Sequence, residues 1–153
     1  MELNELKQFI LEASHNTYAS GNEKIREKEE DGSTSVTYSK GGWEYHDNYF
    51  GGEPYGGREV VFFKKRPVWM MVYYGWITEG VDPDRVYPIL GKALCNSSVE
   101  KPYRGPDEFI EDESIYANDM EGDVENFRGE ERIYDGEELL YIARYMGGLV
   151  DRE

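Results

Sequence analysis

Apolar residues along this chain change their spacing several times, and each change marks an element. Leu3, Leu6, Phe9, Ile10 and Ala13 recur every three or four residues, which predicts a helix over 4–14 with Asn4 as its N-cap. Gly21 is the expected stop. Residues 23–33 show no apolar period and read as a loop. The spacing then drops to two. STSVTYSK (33–40) and WEYHDNYF (43–50) alternate, and the Gly41-Gly42 between them predicts a hairpin.

Glycine and aromatic residues crowd the next run, YFGGEPYGGREVVFFKKRPVWMMVYYGW. Strands over 60–63 and 68–76 flank a KKRP turn. The second strand is apolar on both faces, with Val68, Met70, Val72, Tyr74 and Trp76 on one and Trp69, Met71, Tyr73 and Ile77 on the other. Such a strand is expected at the centre of its sheet and covered on both sides. Gly51, Gly52, Gly56 and Gly57 are expected to bend the chain into this hairpin through positive φ or a bulge. The aromatics behind them would fill the layer between sheet and helices. After Gly80, VDPDRVYPILGKALCN predicts a second helix entered through Asp82 and Pro83, with Pro88 restricting it or delaying its start.

A shift of 72 residues lays 55–77 over 127–149 without a gap. Gly57, Glu59, Tyr73 and Gly75 then fall on Gly129, Glu131, Tyr145 and Gly147. The expected fold is therefore α+β, a single domain over 1–153 with an antiparallel sheet packed with two helices. The repeat suggests internal duplication of a helix-plus-four-strands unit, with halves of about 1–80 and 81–153.

Composition narrows the function classes. A chain of 153 residues with 14% aromatics can bury a core of its own. Its net charge of -15 opposes direct binding to nucleic acid. Residues 107–138 hold 14 acids against Arg128 and Arg132, which reads as a solvated face or else as a surface for a basic protein partner, a cation site or a mimic of DNA. Cys95 is the single cysteine, so no internal disulfide forms. The opening MELNELKQFI is acidic and amphipathic, unlike a secretory signal, and no apolar run is long enough to span a membrane. A cytoplasmic protein without membrane association is expected.

Candidate chemistry is sparse. His15, His46 and Cys95 are far apart in sequence, so neither a metal site nor a cofactor is expected. Asp119, Glu121, Asp123 and Glu130 have calcium-loop spacing, but Val124 stands where that loop requires glycine. Glu59 and Glu131, equivalent in the repeat, would form a proton-sharing pair if a two-fold relation brought them together. Otherwise each holds turn amides. Arg104, between prolines in PYRGP, looks like an exposed cation for an anionic group or for nearby carboxylates. The aromatic surplus suits core, pocket or interface, including a homodimer contact.

The leading reading is a non-enzymatic small-molecule-binding or sensing domain. Tyr45, Trp69, Tyr73 and Tyr74 would line its pocket, with Glu53, Glu59 or Arg104 orienting polar groups. An acidic interaction module, such as a DNA mimic or an inhibitor of a basic protein, is the alternative. An acid–base enzyme using Glu59 and Glu131 is the more distant one.

Several stretches carry a family resemblance: Thr17-Tyr18-Ala19, YHDNYFGGEPYGGREVVFFKKRPVWMMVYYG, YRGP and the closing Gly147-Gly148. Together they resemble a prokaryotic family catalogued as domain of unknown function 5680, over nearly the whole chain. The run from Tyr45 to Glu53 is its most specific part. Such domains occur alone and behind helix-turn-helix domains of transcriptional regulators, which implies an effector-sensing or oligomerising role. The resemblance carries no activity with it. Some members have histidine before the last glycine pair, where this chain has Met146.

Overall fold

A computed structural model describes residues 1–17 and 25–151. Helix α1 (Leu3–Asn16) buries Leu6, Phe9, Ile10 and Ala13, the stripe its spacing implies. Its start differs from expectation. Asn4 already lies inside the helix, Glu2 holds the cap position, and no side chain caps it. Gly21, the expected stop, lies outside the described residues.

Five strands follow: β1 (Glu27–Lys28), β2 (Thr34–Lys40), β3 (Trp43–Gly51), β4 (Tyr55–Phe63) and β5 (Arg66–Ile77). A 3₁₀ turn (Pro83–Arg85) and helix α2 (Tyr87–Cys95) lead to β6 (Glu108–Glu111), β7 (Ser114–Asp123), β8 (Asn126–Asp135) and β9 (Glu138–Leu149). The short strand β1 lies in the segment read as a loop. Asp82 caps the 3₁₀ turn by accepting from the Asp84 amide, and Pro88 sits in the first turn of α2, where its missing N–H costs nothing.

All nine strands join one antiparallel sheet in the order β1-β2-β3-β4-β5-β9-β8-β7-β6. Two meanders meet along β5 and β9, with both helices on one face, and the protein is an α+β domain. No helix among the described residues is long and apolar enough to cross a membrane.

Four local expectations change. The β4–β5 turn is two residues, Lys64-Lys65, because Phe63 pairs directly with Arg66. Both lysines take the positive φ that so tight a hairpin demands. Strand β5 is central, yet covered on one side. Trp69 and Met71 are buried, whereas Val72 is exposed and Tyr74 is 53% exposed, because neither helix reaches that face. The acidic run is a solvated face with one exception, Glu131. Glu131 is buried, and Asp107, Glu111, Glu121, Glu130, Asp135 and Glu138 each meet a lysine or arginine.

The glycines form the fourth. Of Gly51, Gly52, Gly56 and Gly57, Gly51 alone has positive φ. Gly57 lies within β4 opposite Tyr73 and makes room for that ring. A Cβ there would stand 2.5 Å from the Asn48 carbonyl oxygen and 2.7 Å from the Tyr73 hydroxyl. Gly129 seats Tyr145 in the same manner. Gly57→Ala is therefore expected to destabilise the protein by about 1–3 kcal/mol, the usual cost of overpacking. Gly52→Ala, with nothing within 4 Å of the added carbon, should change little. Urea unfolding checks both; equal effects would show that backbone freedom, not the ring seat, is what Gly57 supplies.

The two meanders share their register. Gly57↔Tyr73 and Glu59↔Met71 recur 72 residues later as Gly129↔Tyr145 and Glu131↔Ala143. Bulges recur at Val61/Phe62 and Ile133/Tyr134. At the junction Tyr73 faces Tyr145, its own counterpart, as a two-fold relation requires. The β3–β4 connection has three residues (52–54) and the β7–β8 connection two (124–125). Earlier positions therefore correspond with one residue less, and Asp47↔Glu59 is matched by Asn118↔Glu131.

Candidate binding site between the sheet and the second helix

Strand alternation puts Trp69, Met71, Tyr73 and Ile77 of β5 on the face that carries the helices. Trp69 and Met71 join an apolar cluster with Leu6, Phe9 and Ile10 of α1. Ile77 joins a second cluster with Leu90, Ala93 and Leu94 of α2. Tyr73 stands at the boundary, and there the buried positions turn polar: Asp47 on β3, Glu59 on β4, Asn118 on β7 and Glu131 on β8. A buried carboxyl in such a layer must find partners or lose its charge.

Glu131 finds them. It accepts from Arg104 Nε at 3.1 Å, from the Arg104 terminal nitrogen, and from the hydroxyls of Tyr116 and Tyr141. The chain after α2 folds inward to deliver this guanidinium. Gly105 accepts from Asn118 Nδ2 at 3.0 Å and donates to the Tyr116 hydroxyl at 3.1 Å. Arg104, which looked exposed in the sequence, is 6% exposed. An inward acid on β8 needs a buried cation, and no sequence pattern announced that the two would meet.

In the other half the same backbone arrangement has a different outcome. The Tyr73 hydroxyl donates to Asp47 Oδ1 at 2.6 Å, as Tyr145 donates to Asn118 Oδ1 at 2.6 Å. Asp47 and Glu59 are direct cross-strand partners, 4% and 1% exposed. The Tyr45 hydroxyl pulls the Glu59 carboxyl back toward the ordinary range. Even so, Oε2 of Glu59 has no hydrogen-bond partner among the described residues. Burial, then the neighbouring Asp47 charge, holds Glu59 well above the ordinary carboxylate range. Burial pushes Asp47 up to about 6, against the pull of the Tyr73 hydroxyl and of Arg104. Burial and the Asp47 charge raise Tyr73, which stays a phenol and a donor. Two adjacent buried carboxyls of this kind do not both ionise at neutral pH.

Asp47, Glu59, Tyr73 and Arg104 face a cavity of about 640 Å³. Val36, Tyr55, Tyr87, Leu90 and Leu94 supply its walls. Arg26 and Lys28, both exposed, stand at its mouth. Its size and its mixture of apolar wall and few polar groups are those of a small-molecule site. No group of three or more potential metal ligands occurs among the described residues.

Of the residues singled out in the sequence, Glu59, Tyr73 and Arg104 line this cavity. Glu53 lies beside it, accepting from the Ile77 amide at 2.6 Å and the Tyr87 hydroxyl at 2.9 Å, and so ties the β3–β4 turn to β5 and α2. Tyr45 and Trp69 belong to the core under α1, where the Trp69 indole donates to the Val124 carbonyl at 3.1 Å. Tyr74 is on the open face of the sheet. Glu59 and Glu131 do not form a carboxyl pair: Glu131 is taken by Arg104, and Asp47 is the partner of Glu59. Asp47 was the residue missed. Its signal was present, since it shares the alternation of Tyr45 and Tyr49 and so is an acid at an inward position. Tyr87 carried no comparable signal.

No curated protein and no solved structure matches the chain. A family profile matches residues 47–150, beginning at Asp47 itself and covering both carboxyl sites. On that match the chain belongs to the family described as Domain of unknown function (DUF5680).

Proposed function

We propose that this protein is a small-molecule-binding domain whose ligand is anchored in the cavity between β3–β5 and α2 by Glu59, Asp47 and Tyr73. The observation that carries this reading is the contrast between equivalent acids. Glu131 accepts four hydrogen bonds, whereas Oε2 of Glu59 has no partner among the described residues. Leaving a buried polar group unmatched costs about 1–3 kcal/mol. A fold that carries such a cost at the floor of a cavity is using the group for something other than stability.

Glu59→Met separates the two roles. It is expected to raise stability by about 1–3 kcal/mol, because an unmatched carboxyl leaves the interior. The same change should abolish any ligand retained in native mass spectrometry of the full chain purified from its own host. A Glu59→Met protein that is less stable, with the same bound mass as wild type, would make Glu59 a structural support and overturn the reading.

A second reading, proton transfer by the Asp47–Glu59 pair, is favoured by the shared burial of the two carboxyls and by Asp47 lying at about 6. It predicts that a recovered ligand is chemically altered on incubation with wild type and unaltered with Asp47→Asn.

A further inference from the structure

The cavity floor and the buried Arg104 site are one arrangement used twice, and one of the two is filled from within. At Glu131 the occupant is a guanidinium, offering two parallel N–H groups to the carboxylate while tyrosine hydroxyls complete its shell. Glu59 occupies the equivalent place on β4, with the same tyrosine-to-β3 hydrogen bond beside it. Two substitutions distinguish the floors: Trp69, whose indole donates to the Val124 carbonyl, stands where Tyr141 donates to Glu131, and Asp47 stands where Asn118 does. Asn118 can donate, and does so to the Gly105 carbonyl, whereas an ionised Asp47 only accepts. The first half thus sets two carboxyls side by side where the second sets a carboxylate and an amide.

We infer that the ligand carries a guanidinium or amidinium head, which takes at Glu59 and Asp47 the place that Arg104 takes at Glu131. This rests on the binding reading above. Charge and shape both favour it. Arg104 is committed to Glu131, and the other cation that acts on Asp47 is Arg26, which is exposed. A planar cation with parallel donors matches adjacent carboxyls better than an ammonium does. The apolar wall made by Val36, Leu90 and Leu94 suits a short hydrocarbon stem. Arg26 and Lys28 at the mouth suit an anionic group at the far end. The ligand class is therefore a small guanidino or amidino compound, with an acidic tail adding affinity.

Isothermal titration of the full chain, stripped by unfolding and refolding, tests this with L-arginine, agmatine and benzamidine against n-butylamine and benzoate. Saturable one-to-one binding of the guanidinium or amidinium probes is expected, with L-arginine tighter than agmatine and that advantage shrinking at high salt. Glu59→Gln and Asp47→Asn, both isosteric, should each weaken binding by about tenfold or more, as loss of a charge-assisted hydrogen bond does. Binding of n-butylamine or benzoate at least as tightly as of the guanidinium probes would overturn the head assignment and leave the cavity reading intact. Failure of every guanidinium and amidinium probe to bind would overturn it too. Native mass spectrometry then decides separately whether the cavity binds a molecule of another class.

Discussion

Arg104→Ala is expected to cost about 3–5 kcal/mol of folding stability, the range for breaking a buried ion pair from one side. The loss comes less from the attraction removed than from what remains. Glu131 is fully buried, and without Arg104 it keeps only the hydroxyls of Tyr116 and Tyr141. Those two donors cannot replace a guanidinium, so the carboxyl must take up a proton or draw water into the layer. Replacing both partners removes the problem. The double variant Arg104→Met with Glu131→Met should recover most of the loss, because a buried pair of this kind contributes little beyond its own compensation. Urea unfolding at pH 7 measures all three proteins. A loss under about 1 kcal/mol in the single variant would show that the tyrosines satisfy Glu131 unaided.

Asp47→Asn is expected to stabilise the protein at neutral pH and to leave it nearly unchanged below pH 4. Asp47 lies at about 6 in the folded chain, above its ordinary 3.8, so the folded state binds its proton more tightly than the unfolded state does. Its contribution is fully present below the unfolded value and is lost as pH rises from about 4 to about 6. That shift amounts to on the order of 2–3 kcal/mol, shared with Glu59 because the two carboxyls titrate together. Asparagine has no proton to lose, and its Oδ1 still accepts from Tyr73, as Asn118 already accepts from Tyr145. The groups facing Asp47 are Glu59 on β4, Tyr73 on β5, Arg104 after α2 and Arg26 at the mouth. Unfolding at pH 4, 5, 6 and 7 gives the difference between the two proteins directly. If wild type instead gained on Asp47→Asn with rising pH, the pull of Arg104 would outweigh burial.

The two variants address the two halves of one design. In one half an inward acid is met by the chain's own guanidinium; in the other, Oε2 of the acid has no hydrogen-bond partner among the described residues. Stability should therefore respond in opposite directions to changes at the partners of the two equivalent acids. Removing the partner of Glu131 harms the fold, whereas neutralising the partner of Glu59 helps it.

Much of the fold was legible in the sequence because it depends on local periodicity. The apolar stripe of α1, the Gly41-Gly42 hairpin and the central place of β5 each follow from spacing within about a dozen residues. The match of 55–77 to 127–149 was legible too, because the bulges and the hairpin turns of the two halves fall at equal intervals. It ended at Tyr55 for a physical reason. The β7–β8 connection is one residue shorter than its counterpart, so continuing the same offset lays Asp47 on Asp119 instead of on Asn118. A slip of one residue in a strand moves every side chain to the other face. That slip hid the relation between the two acid sites.

By itself the sequence determined the α+β class, the place of α1 and the meanders, and the presence of acids at inward strand positions, since period and alternation are properties of neighbouring residues. Tertiary structure alone decided which acid is neutralised. Arg104 lies 27 residues before Glu131 and 45 after Glu59, and nothing local assigns it to either. Only the inward fold of the chain after α2, fixed by Gly105 against Asn118 and Tyr116, brings its guanidinium to one carboxylate and leaves the other facing the cavity.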